Sequence, residues 1–442
     1  MRLAEHRYRT VAAIRGPLLF LEQVLCARLG EVVTITAPDG REVAGEVLKI
    51  DGDQVVVQVL GDTFGLDTER TSVAFADTMT RAPVGEGCLG RIFDGSFRPR
   101  DNLPMFIPRQ RALVSGVPIN PVARAHPEEF IETGITAIDA LNTLVKGQKL
   151  PIFTCAGLPV RELTEQLLLQ ARLPGGGPFV LVFVALGLTH FEYHEYIQTL
   201  AQLPGNFVAF VNLADDPVVE RLQAPRLGLT VAEDLAFNGG DDVLVIIADM
   251  ANYCDALREV STAREELPGR RGYPGHMYSD LASLFERAGR IHGRRGSVTM
   301  LPVVTMPEDD ITHPIPDLTG YITEGQIVLS RALHQRGIFP PIDVLPSLSR
   351  LMNQGIGAQQ TRADHRDVAG RLYRNYAKGC EIRRLEAVVG RDGLLEEDRR
   401  LLDFAQRFER EIVHQGKIRR TVLESLELGS RLLAEFSGNQ PC

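Results

Sequence analysis

The chain has no tryptophan, and none of its apolar runs is long enough to cross a membrane as a helix. The longest run, Phe179–Leu188, is about half as long as the ~20 residues that a bilayer span needs. The first ten residues, MRLAEHRYRT, lack the apolar core of a secretory signal. We therefore expect a cytoplasmic protein without a membrane span of its own.

Cysteine is scarce and scattered, with six residues in 442 and no C-x-x-C pair. This distribution indicates neither a zinc knuckle nor a disulfide framework, and it predicts reduced thiols. An excess of basic residues is also missing, because 48 Lys and Arg stand against 57 Asp and Glu. Proteins that bind nucleic acid usually carry the opposite balance, and we expect no nucleic-acid partner.

The length of the chain predicts two to four domains, at about 100–200 residues per domain. The first predicted domain, residues 1–76, is a small β-barrel. Apolar and polar residues alternate there in runs separated by Asp-Gly pairs, which is a strong signal for β-hairpins. These runs are Val32–Thr36, Glu42–Lys49 and Gln54–Leu60.

The second predicted domain, residues 77–355, has an α/β pattern. Its apolar runs are short and continuous, and amphipathic stretches lie between them, which is typical of a parallel sheet covered on both faces. The runs are Phe179–Leu186, Phe207–Leu213, Val243–Ala248 and Val298–Val304. The third predicted domain, residues 356–442, is a helical bundle, because apolar residues recur there at helical spacing.

The signature of a phosphate-binding P-loop, G-x-x-x-x-G-K-[ST], is missing. The only Gly-Lys pair, Gly416-Lys417, is followed by Ile418. At the position where a P-loop would lie, a strand leads through Gly157 to a helix that opens near Arg161. Asp249 ends an apolar run where P-loop enzymes place an Asp that helps to hold Mg²⁺, although a lone Asp at such a place is more often a strand-end cap than a metal ligand.

Eight strings, in this order, carry a family resemblance: Thr133–Asp139, Gly147–Pro151, Asn212–Pro217, Val243–Cys254, Ala256–Glu259, Arg264–Gly275, His313–Gly320 and Pro346–Arg350. Because these strings are spread along it, nearly the whole chain from Gly16 onward resembles the non-catalytic B subunits of archaeal/vacuolar-type (V/A-type) rotary ATPases. The resemblance implies an N-terminal β-barrel, a central RecA-like domain of the P-loop type without a functional P-loop, and a C-terminal helical domain.

The same resemblance implies the partners. Three B chains would alternate with three catalytic A chains in a ring that contacts a central stalk and a peripheral stalk. The ring would couple ATP synthesis or hydrolysis to proton or sodium transport. It would lie on the cytoplasmic side, peripheral to the inner or plasma membrane, and the chain would meet the membrane only through the complex.

For the site, the resemblance implies that Arg350 reaches in trans, as an arginine finger, toward Mg-ATP or ADP bound at the A–B interface. The other residues implied to bind nucleotide or to lie at the interface are Ser347, Ser349, Tyr321, Gly157, Arg161 and Asp249. No metal site of its own is expected. Because Thr154-Cys155-Ala156 replaces the first three residues of the family's Ser-Gly-Ser-Gly-Leu-Pro loop, we expect no tightly bound nucleotide either.

Alternatives remain open at this point. His190 and His194 share a helix face, but Glu192 does not follow the first His directly as in zinc proteases, and a solvated face is preferred. For Tyr321, core packing is as plausible as a place near the nucleotide. A scaffold without a chemical role is a second possibility for the whole chain. A free-standing ring NTPase, such as an export ATPase, would need its own P-loop lysine.

Overall fold

The structure is a computed structural model, and it describes residues 6–437. Seven antiparallel strands make up its N-terminal part: β1 (His6–Tyr8), β2 (Val11–Arg15), β3 (Leu18–Leu21), β4 (Glu31–Thr36), β5 (Glu42–Asp51), β6 (Gln54–Val59) and β7 (Ser72–Met79). They are hydrogen-bonded in the order β1-β7-β4-β5-β6-β3-β2. The predicted N-terminal β region is confirmed.

The alternation of buried and half-buried side chains along the strands explains why this segment forms a sheet with a core on one face. In β4, Val33 and Ile35 are fully buried while Thr34 between them is half-buried, and Val57 of β6 joins the same core. Gly40 and Gly52 take positive φ angles of 87° and 64° at the turns after β4 and β5. The Asp-Gly pairs therefore form the two hairpin turns that the sequence predicts.

The remainder of the chain mixes strands and helices. In order they are β8 (Arg81–Val84), β9 (Arg91–Phe93), β10 (Gln110–Leu113), α1 (Thr136–Asp139), β11 (Ile152–Cys155), α2 (Val160–Gln170), β12 (Phe179–Leu188), α3 (His190–Leu200), β13 (Phe207–Leu213), α4 (Val218–Glu233), β14 (Asp242–Ala248), α5 (Met250–Ala263), α6 (Met277–Phe285), β15 (Gly289–Arg290), β16 (Ser297–Met306), α7 (Pro314–Ile322), β17 (Gly325–Leu329), α8 (Arg331–Gln335), β18 (Ile342–Ser349), α9 (His365–Val389), α10 (Glu396–Arg407) and α11 (Val422–Ser437). Asp234–Gly239 and Phe408–Val413 continue α4 and α10 as π-helical turns.

The chain divides into two compact units. The first comprises the chain up to Ile119, Val180–Gln198 and Pro204–Arg287. Besides the N-terminal sheet it contains strands in the order β14-β12-β13-β9, and β13 runs parallel to both β12 and β9. α4 packs against α5, β13 and β14.

The second unit comprises Asn120–Phe179, Thr199–Leu203 and the chain from Ala288 onward. Its strands follow the order β18-β17-β11-β16, and β11 is parallel to both β16 and β17. β18 differs from the all-parallel expectation, because it pairs antiparallel with β17. The segment between β17 and β18 contains only the short helix α8. The chain therefore turns back beside β17 without crossing the sheet, and β18 runs antiparallel to it.

The C-terminal helices pack as predicted from their periodicity. Val368, Leu372 and Tyr376 lie on the buried face of α9, which contacts both α10 and α11. Among residues 6–437, none of the helices combines the length and apolar character that a membrane span requires.

Candidate functional site

The strand pair β17–β18 positions Arg350, the residue directly after β18. Gly325 lies opposite Ser349 in this pair, and the Arg350 backbone N–H donates to the Glu324 carbonyl at 3.0 Å. Gly325 has φ +129°, and a Cβ there would come within 2.0 Å of the Leu348 carbonyl oxygen. Only glycine permits this close pairing, which fixes where the chain leaves the sheet.

The two predicted serines are buried, and their hydroxyls are occupied within the fold. Ser349 Oγ donates to the Thr143 carbonyl at 2.9 Å and accepts from Gln148 Nε2 at 3.0 Å. Ser347 Oγ donates to the Asp343 carbonyl at 2.5 Å and accepts from the Val328 N–H at 2.9 Å. Both serines therefore stabilise the strand end that carries Arg350.

The Arg350 side chain is exposed, and within residues 6–437 its guanidinium has no hydrogen-bond or salt-bridge partner. The nearby carboxylate of Glu324 is occupied, because it accepts from the Lys149 backbone N–H at 2.9 Å and pairs with Lys149 Nζ at 2.7 Å. A guanidinium carries five N–H donors, and here all of them remain available to a ligand or a neighbouring chain.

Arg350 lines a cleft of about 1000 Å³ within the second unit. One wall is the end of β18, and the other is the first half of α9. The Tyr373 hydroxyl donates to the Leu345 carbonyl at 3.2 Å and joins the two walls. The cleft is large enough for a nucleotide-sized ligand.

The loop in the P-loop position is tied to the rest of the second unit. Gly157 takes φ +78° in a tight turn, and Arg331 donates to the Ala156 carbonyl at 3.0 Å. Arg331 also pairs with Asp309 at 2.7 Å, and this contact lowers the pKa of the Asp309 carboxyl. Burial, followed by the hydrogen bond to Asp309, raises the pKa of the Cys155 thiol.

Arg161 lies in the first turn of α2 and pairs with carboxylates of the same helix. Its guanidinium is 2.6 Å from Glu165 Oε1 and 3.3 Å from Glu162 Oε1. Burial raises the pKa of Glu165. The positive charge of Arg161 is thus partly balanced by two carboxylates of its own helix, whereas Arg350 has no such partner among residues 6–437.

Asp249 and Tyr321 do not line the Arg350 cleft. Asp249 belongs to the first unit and caps α5, where its side chain accepts from the Ala251 N–H at 2.8 Å. Tyr321 is 74% exposed on α7, and within residues 6–437 its hydroxyl has no hydrogen-bond partner. Core packing of Tyr321, one of the two alternatives considered for it, is wrong, because its ring lies in solvent.

In the part of the chain that the structure describes, no three His, Cys, Asp or Glu side chains cluster as metal ligands would. His190 and His194 are exposed on α3. Their ring nitrogens lie 3.3 Å from Asp215 Oδ2 and 2.8 Å from Gln198 Nε2, respectively. Sequence reasoning missed Arg331 and Asp309 at the loop, because a separation of 22 positions leaves no local signal.

Comparisons with known proteins match three consecutive parts of the chain to described families. Residues 11–76 match the β-barrel domain of the ATP synthase alpha/beta family, and residues 134–349 match its nucleotide-binding domain. Residues 354–440 match the C-terminal domain of V and A type ATP synthase.

Full-length relatives agree with these matches. The V-type ATP synthase beta chain of Geotalea uraniireducens is 68% identical over 437 residues, which covers 99% of each chain. That of Thermus thermophilus is 50% identical and covers 98% of this chain and 93% of its own. Among solved structures, an ATP synthase subunit, NeqB from Nanoarcheaum equitans, is 36% identical with a TM-score of 0.76, over 96% of this chain and 100% of NeqB. The chain therefore belongs to the V-type ATP synthase beta chain family.

Proposed function

We propose that this chain is the non-catalytic, regulatory B subunit of a V/A-type ATP synthase or ATPase. Three copies would alternate with three catalytic A chains around a central stalk, with a peripheral stalk outside. The complex would couple ATP synthesis or hydrolysis to proton or sodium transport on the cytoplasmic side of the membrane. Membership of the family supports this proposal, as does the missing P-loop string, without which this chain has no lysine to hold the phosphates.

The unpartnered guanidinium of Arg350 carries the mechanistic part of the proposal. Other exposed arginines of this chain pair with its own carboxylates, as Arg331 does with Asp309 and Arg391 does with Asp403. Arg350 instead stands at the rim of an open cleft on a rigid strand end. We infer that its partner is the phosphate chain of a nucleotide held by the neighbouring A chain.

The chemistry of the side chain fits this role. A guanidinium is planar, always charged and able to donate two parallel hydrogen bonds to phosphoryl oxygens. When it is supplied in trans, such an arginine stabilises charge on the transferring phosphoryl group and contributes about 10³–10⁵ in rate. Ser347 and Ser349 would position Arg350 through the backbone rather than contact the nucleotide themselves.

The experiment is to assemble the complex with Arg350→Ala or Arg350→Lys and to measure ATP hydrolysis and A–B assembly. We expect Arg350→Ala to lower turnover by about 10³-fold or more while assembly is retained. Arg350→Lys should remain strongly impaired, because an ammonium group cannot reproduce the planar pair of donors.

The matched control is Arg384→Ala, an exposed arginine of α9 that also lacks a partner within residues 6–437 and lies outside the cleft. It should leave turnover near the wild-type rate. Normal turnover with Arg350→Ala would refute the in trans role and leave the scaffold alternative. Hydrolysis by the purified chain alone would instead favour a free-standing ring NTPase.

The remaining assignments belong to the same proposal. Division into domains 1–76, 77–355 and 356–442 is supported by family matches that fall within these ranges except at their edges. Gly157, Arg161, Asp249 and Tyr321 are proposed as residues of the non-catalytic position or of the subunit interface. Mg-ATP or ADP would be held mainly by the A chain, and this chain would bind no nucleotide tightly.

A further inference from the structure

Helix α9 presents two more arginines to the cleft that Arg350 lines. Arg366 and Arg374 are separated by two helical turns, and Gly370 lies midway between them on the same face. A Cβ at Gly370 would meet no atom within 4 Å, which means that the space between the two arginines is open. Both arginine side chains are exposed.

Neither arginine has a hydrogen-bond or salt-bridge partner within residues 6–437. Other arginines of the same region are paired. Arg362 contacts Asp364 and Ser430, and Arg383 contacts Glu409. Arg384 of α9, which lies outside the cleft, also lacks a partner within residues 6–437, so what distinguishes the cleft is that two unpaired arginines of α9 line it together with Arg350.

The charge of the cleft is strongly unbalanced. Its lining includes three guanidinium groups, those of Arg350, Arg366 and Arg374, and a single carboxylate, Asp367. Asp367 lies 3.9 Å from Arg371, a cation that does not line the cleft. Like charges that converge on a concave surface and outnumber their counter-charges raise the local concentration of anions.

We infer that Arg366 and Arg374 form, with Arg350, a subsite for phosphate oxyanions along the wall of this cleft. The two α9 side chains would be positioning residues that hold the non-reacting part of a polyphosphate chain, or a free phosphate, while Arg350 contacts the reacting group. The inference deepens the proposed function and rests on it for the source of the anion. Recognition by guanidinium groups depends on the phosphate oxygens and requires no contact with a base.

The first test is calorimetric titration of the full chain with sodium tripolyphosphate, inorganic phosphate and ATP. We expect tripolyphosphate to bind with a dissociation constant on the order of 0.1–1 mM, because the contacts are exposed to solvent. Arg366→Ala and Arg374→Ala should each weaken binding by about tenfold, and binding should weaken further as salt is raised. Arg384→Ala is the control and should change nothing.

The three ligands distinguish the sources of the anion. Equal affinity for tripolyphosphate and ATP would support the inference and assign the subsite to a nucleotide's phosphate chain. Tighter binding of inorganic phosphate would also support it and assign the subsite to free phosphate. Absence of binding by all three ligands, or binding that the two α9 variants leave unchanged, would overturn it.

The second test uses the assembled complex. The double variant Arg366→Ala/Arg374→Ala should raise the KM for ATP about tenfold or more with a smaller change in kcat, whereas Arg350→Ala should mainly lower kcat. An unchanged KM in the double variant would overturn the subsite while the role of Arg350 stands. Normal turnover with Arg350→Ala would instead refute the proposed function. The calorimetric titration would still test whether Arg366 and Arg374 bind phosphate.

One outcome points to a different occupant of the cleft. If the double variant prevents the A chain from assembling and tripolyphosphate binding is unaffected, α9 faces carboxylates of the partner. That result would overturn the inference.

Discussion

Arg287 is completely buried in the first unit, and its guanidinium is held by both oxygens of one carboxylate. Nε and Nη2 each lie 2.7 Å from an oxygen of Glu233, and Nη2 also donates to Thr230 at 2.9 Å. Gly116 has φ +57°, and a Cβ there would lie 2.3 Å from the guanidinium carbon. A buried charge of this kind is tolerated because nearly all its donors are satisfied.

We expect Arg287→Met to lower the free energy of unfolding by about 3 kcal/mol, because it leaves Glu233 without its counter-charge in a poorly hydrated place. Urea unfolding followed by circular dichroism measures the loss. The matched control is Arg391→Ala, which breaks an exposed pair with Asp403 and should cost less than about 1 kcal/mol. Equal losses in the two variants would contradict this account.

His365 links the start of α9 to the chain around α1. Its Nε2 lies 3.0 Å from the Ala140 carbonyl, and its Nδ1 lies 2.9 Å from Thr361 Oγ1. A neutral ring that donates to Ala140 and accepts from Thr361 satisfies both contacts. Burial lowers the pKa of His365 in the folded chain.

This shift makes stability depend on pH. Below about pH 6.5 the unfolded chain binds a proton at His365 that the folded chain does not bind, and stability should therefore fall as pH falls. One such group contributes at most about 1.4 kcal/mol per pH unit. We expect His365→Gln to flatten this part of the profile in urea unfolding between pH 7.5 and pH 5.5. Identical slopes for the two proteins would show that another group is responsible.

At the scale of single elements, α9 illustrates how glycines in one helix serve different purposes. Gly379 is buried where α9 meets α10, and a Cβ there would lie 2.5 Å from the Leu401 carbonyl oxygen and 2.6 Å from Ala405 Cβ. Gly370 faces open space in the cleft. The first glycine allows close packing of two helices, whereas the position of the second has room for a Cβ.

These surroundings predict opposite effects of the same substitution. Gly370→Ala should stabilise the chain by about 0.5–1 kcal/mol, because alanine is the better helix former. Gly379→Ala should destabilise it by about 1–3 kcal/mol, since overpacking outweighs that gain. The two variants serve as controls for each other in urea unfolding. A stabilising effect of Gly379→Ala would mean that α10 moves away at little cost.

At the scale of the whole molecule, the two positions where nucleotide contacts are conceivable differ in one respect. At the loop 154–161, backbone and charged groups are already engaged within the chain, as the contact from Arg331 to Ala156 demonstrates. At the cleft beside α9, the guanidinium groups have no partners within the described residues. This difference, with the missing P-loop lysine, supports the proposal that the chain offers cationic donors to a nucleotide held by a neighbouring chain.

We expect the isolated chain to bind ATP more weakly than about 10 µM, because the loop contains no P-loop lysine to balance the charge of the phosphates. Calorimetric titration of the purified chain with Mg-ATP measures this directly. Arg331→Ala should not create tight binding, since it removes the hydrogen bond to the Ala156 carbonyl without adding a group that binds phosphate. Micromolar or tighter binding by the wild-type chain would refute the expectation.

Much of the fold was predictable, and the reasons are local. Strands β4 to β6 followed from alternation and Asp-Gly turns, and the buried face of α9 followed from helical spacing. β18 was not predicted as antiparallel, because strand direction depends on how the connecting segment returns. Which role each site residue plays stays a prediction, although the structure places Ser347 and Ser349 behind Arg350 and Asp249 at the start of a helix.

The sequence alone determined the order of β, α/β and helical regions, the missing P-loop lysine and the family, because periodicity and residue identity are properties of neighbouring positions. The sequence could not determine which charged side chains of the site are paired with each other. Arg287 and Glu233 are 54 positions apart, and Arg331 and Asp309 are 22 apart. Only the tertiary structure decides which arginines find a carboxylate, because an ion pair requires that distant segments fold within about 4 Å of each other. For Arg350, Arg366 and Arg374, folding leaves the guanidinium groups together at one cleft without such a partner among residues 6–437.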